Sequence, residues 1–148
     1  MENHTPLNYA LWLLGRRDRS VGEIQNKMRE KKFEESDIKK TINTLKVQNF
    51  LDDKKFARHY IENQLVLKPV GKYVLKQKLK QKFISDKIID ETLKNIDTET
   101  EYSLANEAAK KWQRKHADLD INDQKTKEKL TRYLISHGFD WETIKQII

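Results

Sequence analysis

The chain has 148 residues, of which 36% are apolar and 36% are charged, and its formal net charge is +7. This composition favours one small domain or an array of short helical repeats, because four Gly and two Pro residues are too few for the many turns of an all-β fold. The absence of Cys excludes disulfides, thiolate catalysis and Cys-based zinc sites.

The first apolar stretch, Leu7 to Leu14, runs directly into Arg16, Arg17 and Arg19 and lacks a small-residue cleavage site. A signal peptide is therefore not expected. No other run approaches the roughly 18 apolar residues that a membrane-spanning helix needs. We expect a cytoplasmic protein that does not contact a membrane.

Apolar residues recur along the chain with one spacing. The first set recurs 51 residues later and again 55 residues after that, and the spacing within each set is identical. The three sets are Ile24, Met28, Phe33, Ile38 and Ile42; Leu75, Leu79, Ile84, Ile89 and Leu93; and Leu130, Leu134, Phe139, Ile144 and Ile148. Steps of four on either side of two five-residue steps predict two short helices joined by a tight turn.

Helix-start residues lie where this pattern needs them. Ser20 and Glu23 form a capping-box pair, and Ser36, Ser85 and Asp140 are expected to precede the second helix of each pair. In the third pair Gly138 occupies the turn, where a helix end favours a left-handed residue.

A further helix precedes each pair, over Asn8 to Arg16, Asp53 to Leu67 and Glu101 to His116. The predicted fold is therefore all-α, with three tandem three-helix repeats in an elongated, curved array. We place repeat 1 at residues 1–49, repeat 2 at 50–97 and repeat 3 at 98–148. Net charge is +3, +4 and zero over residues 1–50, 51–97 and 98–148, so a polyanion should meet the first two thirds of the chain.

Two adjacent carboxylates, Asp52 and Asp53, have no nucleophile or His at helical spacing, which argues against catalysis. Their structural interpretation is stronger. Asp52 is predicted to cap a helix, Asp53 to favour its positive end, and Leu51 to pack on Phe56 as a hydrophobic staple. The four histidines are scattered and match no ligand spacing, so neither a metal nor a cofactor is expected.

Three basic clusters are the candidate contacts for a partner or for DNA. No acid lies between Asn63 and Ser85, and Lys72, Lys76 and Lys80 share one helix face that we place opposite Leu75 and Leu79. Trp12, Trp112 and Trp141 could stack on bases, although packing in the core or at its rim is favoured for all three. The candidate cations are Arg16, Arg17 and Arg19; Lys72, Lys76, Lys78, Lys80 and Lys82; and Lys111, Arg114 and Lys115.

Two segments resemble the RecX regulatory family. Tyr9 to Ser20, followed by Glu23 and Ile24, resembles its opening signature, and Phe50-Leu51-Asp52-Asp53 with Phe56-Ala57 resembles its central Leu-Asp-Asp motif. Their order, their separation and the triple repeat make the match specific over nearly the whole chain. The sequence departs from the family at Lys32 and Lys82, which occupy turns where the family commonly has Gly.

The resemblance implies a non-enzymatic, monomeric regulator that binds RecA filaments in their groove and lowers strand exchange, ATP hydrolysis and co-protease activity. Single- or double-stranded DNA is a further candidate partner. The alternative is a helix-turn-helix protein that binds duplex DNA directly, since each repeat contains two short helices and a tight turn. Against it, the predicted second helices, residues 36–48 and 85–96, carry alternating charge and not a face for reading bases.

Overall fold

The computed structural model describes residues 5–148, so His4, one of the four scattered histidines, lies outside the described part. Over that range the chain is helical and contains no strand, which confirms the predicted all-α class. The nine helices there are α1 (Pro6–Arg16), α2 (Val21–Glu30), α3 (Glu35–Val47), α4 (Asp53–Leu67), α5 (Lys72–Gln81), α6 (Asp86–Leu93), α7 (Thr98–Lys115), α8 (Gln124–Ser136) and α9 (Trp141–Ile144).

These helices belong to two compact units. The first unit is Met1–His59 with Leu79–Ile89, and the second is Tyr60–Lys78 with Asp90–Ile148. Repeat 2 thus contributes residues to both units. Two or three short helices expose too much apolar surface to be stable alone, and sharing a repeat between units increases the apolar area that is buried.

The core of the first unit joins α1, α2 and α3. Its buried side chains recur every three or four residues along each helix. Leu51, at the start of repeat 2, also belongs to this core. They are Tyr9, Ala10, Leu13, Ile24, Met28, Ile38, Ile42, Leu45 and Leu51. In the second unit α7, α8 and α9 pack in the same way around Ala105, Ala108, Ala109, Trp112, Leu130, Leu134, Phe139 and Ile144.

The repeated apolar pattern predicts burial correctly at all positions but two. Phe33 is half-buried against the core of the first unit, and Ile148 is 37% exposed. The prediction for Ile148 is therefore wrong. The reason is that α9 ends at Ile144, so the helix that would have turned the next apolar position inward does not reach it.

Helix starts agree with the sequence in most places. Ser20 and Glu23 form the complete capping box, and Asp140 accepts the Thr143 N–H at 2.8 Å. Ser85 accepts the Ile88 N–H at 3.3 Å. Ser36, however, lies inside α3, whose cap position is Glu34, so its predicted capping role is wrong. Two carboxylates in the first turn, Glu35 and Asp37, favour an earlier start through the helix dipole.

The tight turn of each repeat contains a left-handed residue. These residues are Lys32 (φ 65°), Phe83 (φ 62°) and Gly138 (φ 89°), which confirms the turn expected at Gly138. In repeat 2 the position that would favour Gly is thus Phe83. The resemblance to the RecX family had placed it at Lys82, which is wrong by one residue. Each of the two non-Gly residues carries a strain of roughly 1–3 kcal/mol.

In the first unit the start of α2 contacts the turn before Ile84. The Ser20 hydroxyl is fully buried and donates to the Lys82 carbonyl oxygen at 2.5 Å. Next to it Gly22 faces the side chain of Phe83 so closely that a Cβ atom at residue 22 would collide with it. The turn of repeat 2 therefore docks on the helix start of repeat 1.

In the second unit the start of α5 makes the corresponding contact with repeat 3. The Gly71 N–H donates to the His137 carbonyl at 2.7 Å, and the Tyr73 N–H donates to the Gly138 carbonyl at 3.1 Å. Gly71 is 51 residues after Ser20, and His137 is 55 residues after Lys82, so the two contacts are equivalent in the repeat register. One of them uses a side-chain donor and the other uses the backbone.

Replacing Gly71 with Ala tests this contact, because the new Cβ would collide with the Gly138 carbonyl oxygen, which is backbone and cannot rotate away. We expect Gly71→Ala to lower the free energy of unfolding by about 1–3 kcal/mol. Gly15→Ala is the matched control: it lies in α1 with open space around it and should stabilise by about 0.5–1 kcal/mol. Urea denaturation followed by circular dichroism measures both. Equal effects would contradict the assignment of this contact.

Candidate functional site in the basic clusters

The arginines at the end of α1 and just after it, Arg16, Arg17 and Arg19, contact groups close to them in the structure. Arg17 pairs with the Glu23 carboxylate at 2.9 Å, and Arg19 Nε donates to the Leu13 carbonyl at 3.4 Å near the end of α1. Arg16 lies over the ring of Trp12, 5.0 Å from its centroid. Of the three, Arg16 and Arg17 are exposed, and burial together with Arg17 lowers the pKa of Arg19.

Glu23 connects this cluster to the turn of repeat 2. Its side chain is only 11% exposed, yet it accepts from Arg17 and from the Ser20 N–H, and it lies 3.7 Å from the Lys82 ammonium. Burial alone would raise the pKa of Glu23, but these hydrogen bonds outweigh burial and lower it. Arg17 and Lys82, both predicted as partner contacts, therefore stabilise a buried carboxylate inside this unit.

The Leu-Asp-Asp segment has the predicted helix cap and one contact that the sequence did not predict. Asp52 accepts the N–H groups of Lys54 and Lys55 at 3.0 and 3.2 Å. Asp53, expected only to favour the helix start, instead accepts the Val21 N–H at 2.9 Å, 32 residues away. Burial raises the pKa of the Asp53 carboxyl. The contact ties the second signature segment to the first.

A cleft of about 310 Å³ lies where the two signature segments meet in the first unit. Leu14 and Arg19 line one side, and Phe50, Asp52 and Phe56 belong to the other. Phe50 is 55% exposed, although Phe is among the residues most often buried. The staple contact between Leu51 and Phe56 stays a prediction.

Asp53 variants should separate its hydrogen bond from its charge. Asp53→Ala leaves the Val21 N–H without an acceptor and should cost about 1–3 kcal/mol of unfolding free energy. Asp53→Asn keeps an acceptor oxygen and removes a charge that burial disfavours, so it should remain within about 0.5 kcal/mol of the parent. Thermal unfolding at pH 7 measures both. If Asn costs as much as Ala, the charge at residue 53 is what the fold needs.

The lysines of α5 are less available than the sequence suggested. Although their own segment lacks acids, acids from other segments reach them. Lys72 lies 3.7 Å from Glu101, Lys80 lies 3.8 Å from Asp86, and Lys78 donates to Gln64 at 2.9 Å. The placement of these lysines opposite the core stripe is wrong for Lys72 and Lys76, which are half-buried, and Lys80 alone is exposed. Residues three apart on a helix are neighbours, so Lys72 lies beside Leu75 and Lys76 beside Leu79.

Glu101 explains the position of Lys72. Its carboxylate is 4% exposed, and burial raises its pKa, with Asp140 raising it further and Lys72 opposing both. Because the folded-state pKa is raised, the charged form is disfavoured by folding. The contribution of Glu101 to the free energy of unfolding is therefore largest below the ordinary pKa of a glutamate. It is lost as pH rises through the pKa that Glu101 has in the folded protein.

Lys72→Glu should therefore destabilise the second unit, since it places a second carboxylate beside buried Glu101. Lys76→Glu is the matched control, half-buried on the same helix with no ion pair among residues 5–148, and should change stability by less than about 0.5 kcal/mol. The deficit of Lys72→Glu should shrink as pH falls and Glu101 takes up a proton. A deficit independent of pH between 4 and 7 would show that Glu101 is not its cause.

The third cluster is the most accessible. Lys110, Lys111, Arg114 and Lys115 lie along the last turns of α7, and all four are exposed. Within the part of the chain that the structure describes, none of them forms an ion pair. Acids such as Glu107 and Asp118 lie near this cluster in the sequence, but none of them pairs with these side chains in the described chain.

The three tryptophans differ in exposure, which spacing alone does not reveal. Trp112 is buried in the core of the second unit, Trp12 is half-buried and stacks on Tyr9 at 6.0 Å, and Trp141 is 54% exposed. The prediction of packing in the core or at its rim is therefore confirmed for Trp112 and Trp12. It is wrong for Trp141, which is the first residue of the four-residue helix α9.

Residues 5–148 contain no group of three or more acidic, His or Cys side chains that could hold a metal ion. Across the same residues, the helices are too short or too polar to cross a bilayer. The helices, their repeated docking contacts and their exposed cations define a tandem three-helix repeat protein with surfaces suited to binding charged partners.

Comparisons with known proteins identify the family. Models of the first, second and third three-helix domains of RecX match residues 7–45, 52–93 and 99–148 in that order. The regulatory protein RecX of Prosthecochloris aestuarii is 34% identical over 96% of this chain and 90% of its own length. That of Chlorobium phaeobacteroides is 37% identical over 94% of this chain and 88% of its own length. The chain belongs to the RecX family of regulatory proteins.

Solved structures give the same fold. A crystal structure of RecX from Lactobacillus salivarius superimposes with a TM-score of 0.88 over 96% of this chain and 91% of the other, at 24% identity. A second crystal structure of regulatory protein RecX has a TM-score of 0.85 at 23% identity. The three-helix repeats predicted from the apolar spacing are therefore confirmed.

Proposed function

We propose that this protein is a non-enzymatic regulator that binds RecA and RecA-DNA filaments and inhibits their recombinase, ATPase and co-protease activities. It would act as a cytoplasmic monomer in recombination, repair and the SOS response, and would need no cofactor. The ordered match of all three domains to a family of regulatory proteins carries this proposal.

The surface chemistry supports a partner that is acidic or rich in phosphate. A chain of +7 attracts such partners over a distance of about 8 Å at physiological ionic strength. Several cations are occupied inside the protein: Arg17 and Lys82 by Glu23, and Lys72 by Glu101. The exposed cations at the end of α7, with Arg16 and Lys76, remain the stronger candidates for contact with the filament.

Repeats that each offer a few contacts suit a filament. A filament presents the same acidic or phosphate groups at regular intervals, and several modest contacts made by one chain add through effective concentration. Within each unit, the docking of one repeat on the next holds neighbouring contacts together. Loss of one basic cluster should therefore weaken inhibition without abolishing the fold.

The test is inhibition of ATP hydrolysis by RecA on single-stranded DNA. Lys111→Glu with Arg114→Glu should raise the concentration needed for half-inhibition by tenfold or more, because favourable pairs become repulsive. Lys39→Glu with Lys40→Glu is the control: both lysines are exposed on α3 and the change in charge is equal. Circular dichroism should show that both variants are folded.

The outcomes distinguish the alternatives. If the parent does not inhibit RecA, the proposed function is wrong. If the α7 variant inhibits like the parent, the filament contact lies elsewhere, with Arg16 and Lys76 the next cations to change. Binding to bare duplex DNA that exceeds binding to assembled filaments would favour the direct helix-turn-helix alternative.

A further inference from the structure

The inference concerns Trp141, the exposed tryptophan of repeat 3. Its backbone position is held on both sides. Asp140 caps α9 by accepting the Thr143 N–H at 2.8 Å, and the side chains of Thr143 and Ile144 on α9 are buried. The indole nevertheless stays 54% exposed. A rigid aromatic ring with an open surface contributes little to folding, and exposed large aromatic groups commonly mark binding sites.

Trp141 borders a groove of about 510 Å³ beside α8. Lys127, Glu128, Thr131 and Arg132 line the groove from one face of α8, because residues three and four apart on a helix are neighbours. Ile148 completes it and is 37% exposed. All these residues belong to the second compact unit, and we call this feature the α8 groove.

Within the described chain, the charges that line the α8 groove form no ion pair. Glu142 in α9 and Lys145 just after it, which lie outside the groove, pair with each other at 2.7 Å. The Thr131 hydroxyl donates to the Lys127 backbone carbonyl at 2.8 Å, so this hydroxyl is satisfied within α8. The groove therefore combines an open aromatic ring, two cations and one carboxylate.

We propose that the α8 groove binds single-stranded nucleic acid, with one unstacked base on Trp141 and the backbone phosphates against Lys127 and Arg132. Stacking on an aromatic ring with flanking cations is how single strands are held without sequence preference. Glu128 would repel the carboxylates of an acidic peptide, and such a peptide has no base to stack on Trp141. Duplex DNA keeps its bases stacked on each other, so it offers no ring to Trp141.

This inference deepens the DNA contact in the proposed function, but the oligonucleotide-binding assay that tests it contains no RecA, so either can fail alone. The probe is a fluorescein-labelled 15-nucleotide oligo(dT), and binding is followed by anisotropy at low salt. We expect the parent to bind and Trp141→Ala to bind at least tenfold more weakly. Trp141→Phe should recover part of the loss, because Phe retains a ring.

The charge variants test the phosphate contacts. Lys127→Ala with Arg132→Ala should weaken binding and reduce the slope of log affinity against log salt by about 0.7 for each phosphate contact removed. Lys125→Ala with Lys129→Ala is the matched control, since both are exposed on α8 outside the groove and remove the same charge. Tyr73→Ala, at a residue 63% exposed elsewhere in the same unit, is the aromatic control.

Four results would overturn the proposal. One is no binding of oligo(dT) by the parent, and another is equal binding by parent, Trp141→Ala and the Lys127/Arg132 variant. The third is equal competition by a 15-base-pair duplex, which would show that stacking on Trp141 is not involved. If Trp141→Ala left oligo(dT) binding unchanged but weakened binding to a RecA filament, the groove would accept a protein segment, and the nucleic-acid assignment would be wrong.

Discussion

Two backbone carbonyl groups, those of Lys82 and His137, organise this protein. Each lies in the tight turn of one repeat and accepts a hydrogen bond from the helix start of the preceding repeat, through Ser20 in the first unit and Gly71 in the second. The carbonyls of a turn need donors, and the helix start supplies one in each case, a side-chain hydroxyl at Ser20 and a backbone N–H at Gly71. These contacts let short helices share a core that none could form alone.

The docking contacts also decide how the charges are distributed. Glu23 and Glu101 both lie close to a helix start that takes part in docking, and each is nearly buried. A buried carboxylate is costly unless it is paired, so each approaches a lysine of the next or preceding repeat, Lys82 for Glu23 and Lys72 for Glu101. Lys72 in α5 and Lys82 just after it therefore stabilise contacts between repeats, which makes them less available to a partner.

Exposed cations without an ion pair in the described chain remain where no docking contact needs the charge. The end of α7 and the outer face of α8 carry exposed cations, and the rigid helix α9 presents Trp141 beside α8. Repeat 3 has no net charge over its sequence, so total charge would direct attention to the other repeats. Local geometry leads to the opposite conclusion, since accessibility and not the sum of charges decides what a polyanion can reach.

The sequence by itself determined the helical class, the three repeats, the capping box at Ser20 and Glu23, and the left-handed turn at Gly138. Each of these depends on neighbours within about five residues or on a periodic apolar face, which spacing reveals directly. Only the tertiary structure decided that Asp53 reaches Val21, that Lys72 reaches Glu101, that Phe83 tolerates a strained turn beside Gly22, and that Trp141 is exposed while Trp112 is buried. These features join residues far apart in the chain, and local patterns contain no information about which distant residue will lie opposite them.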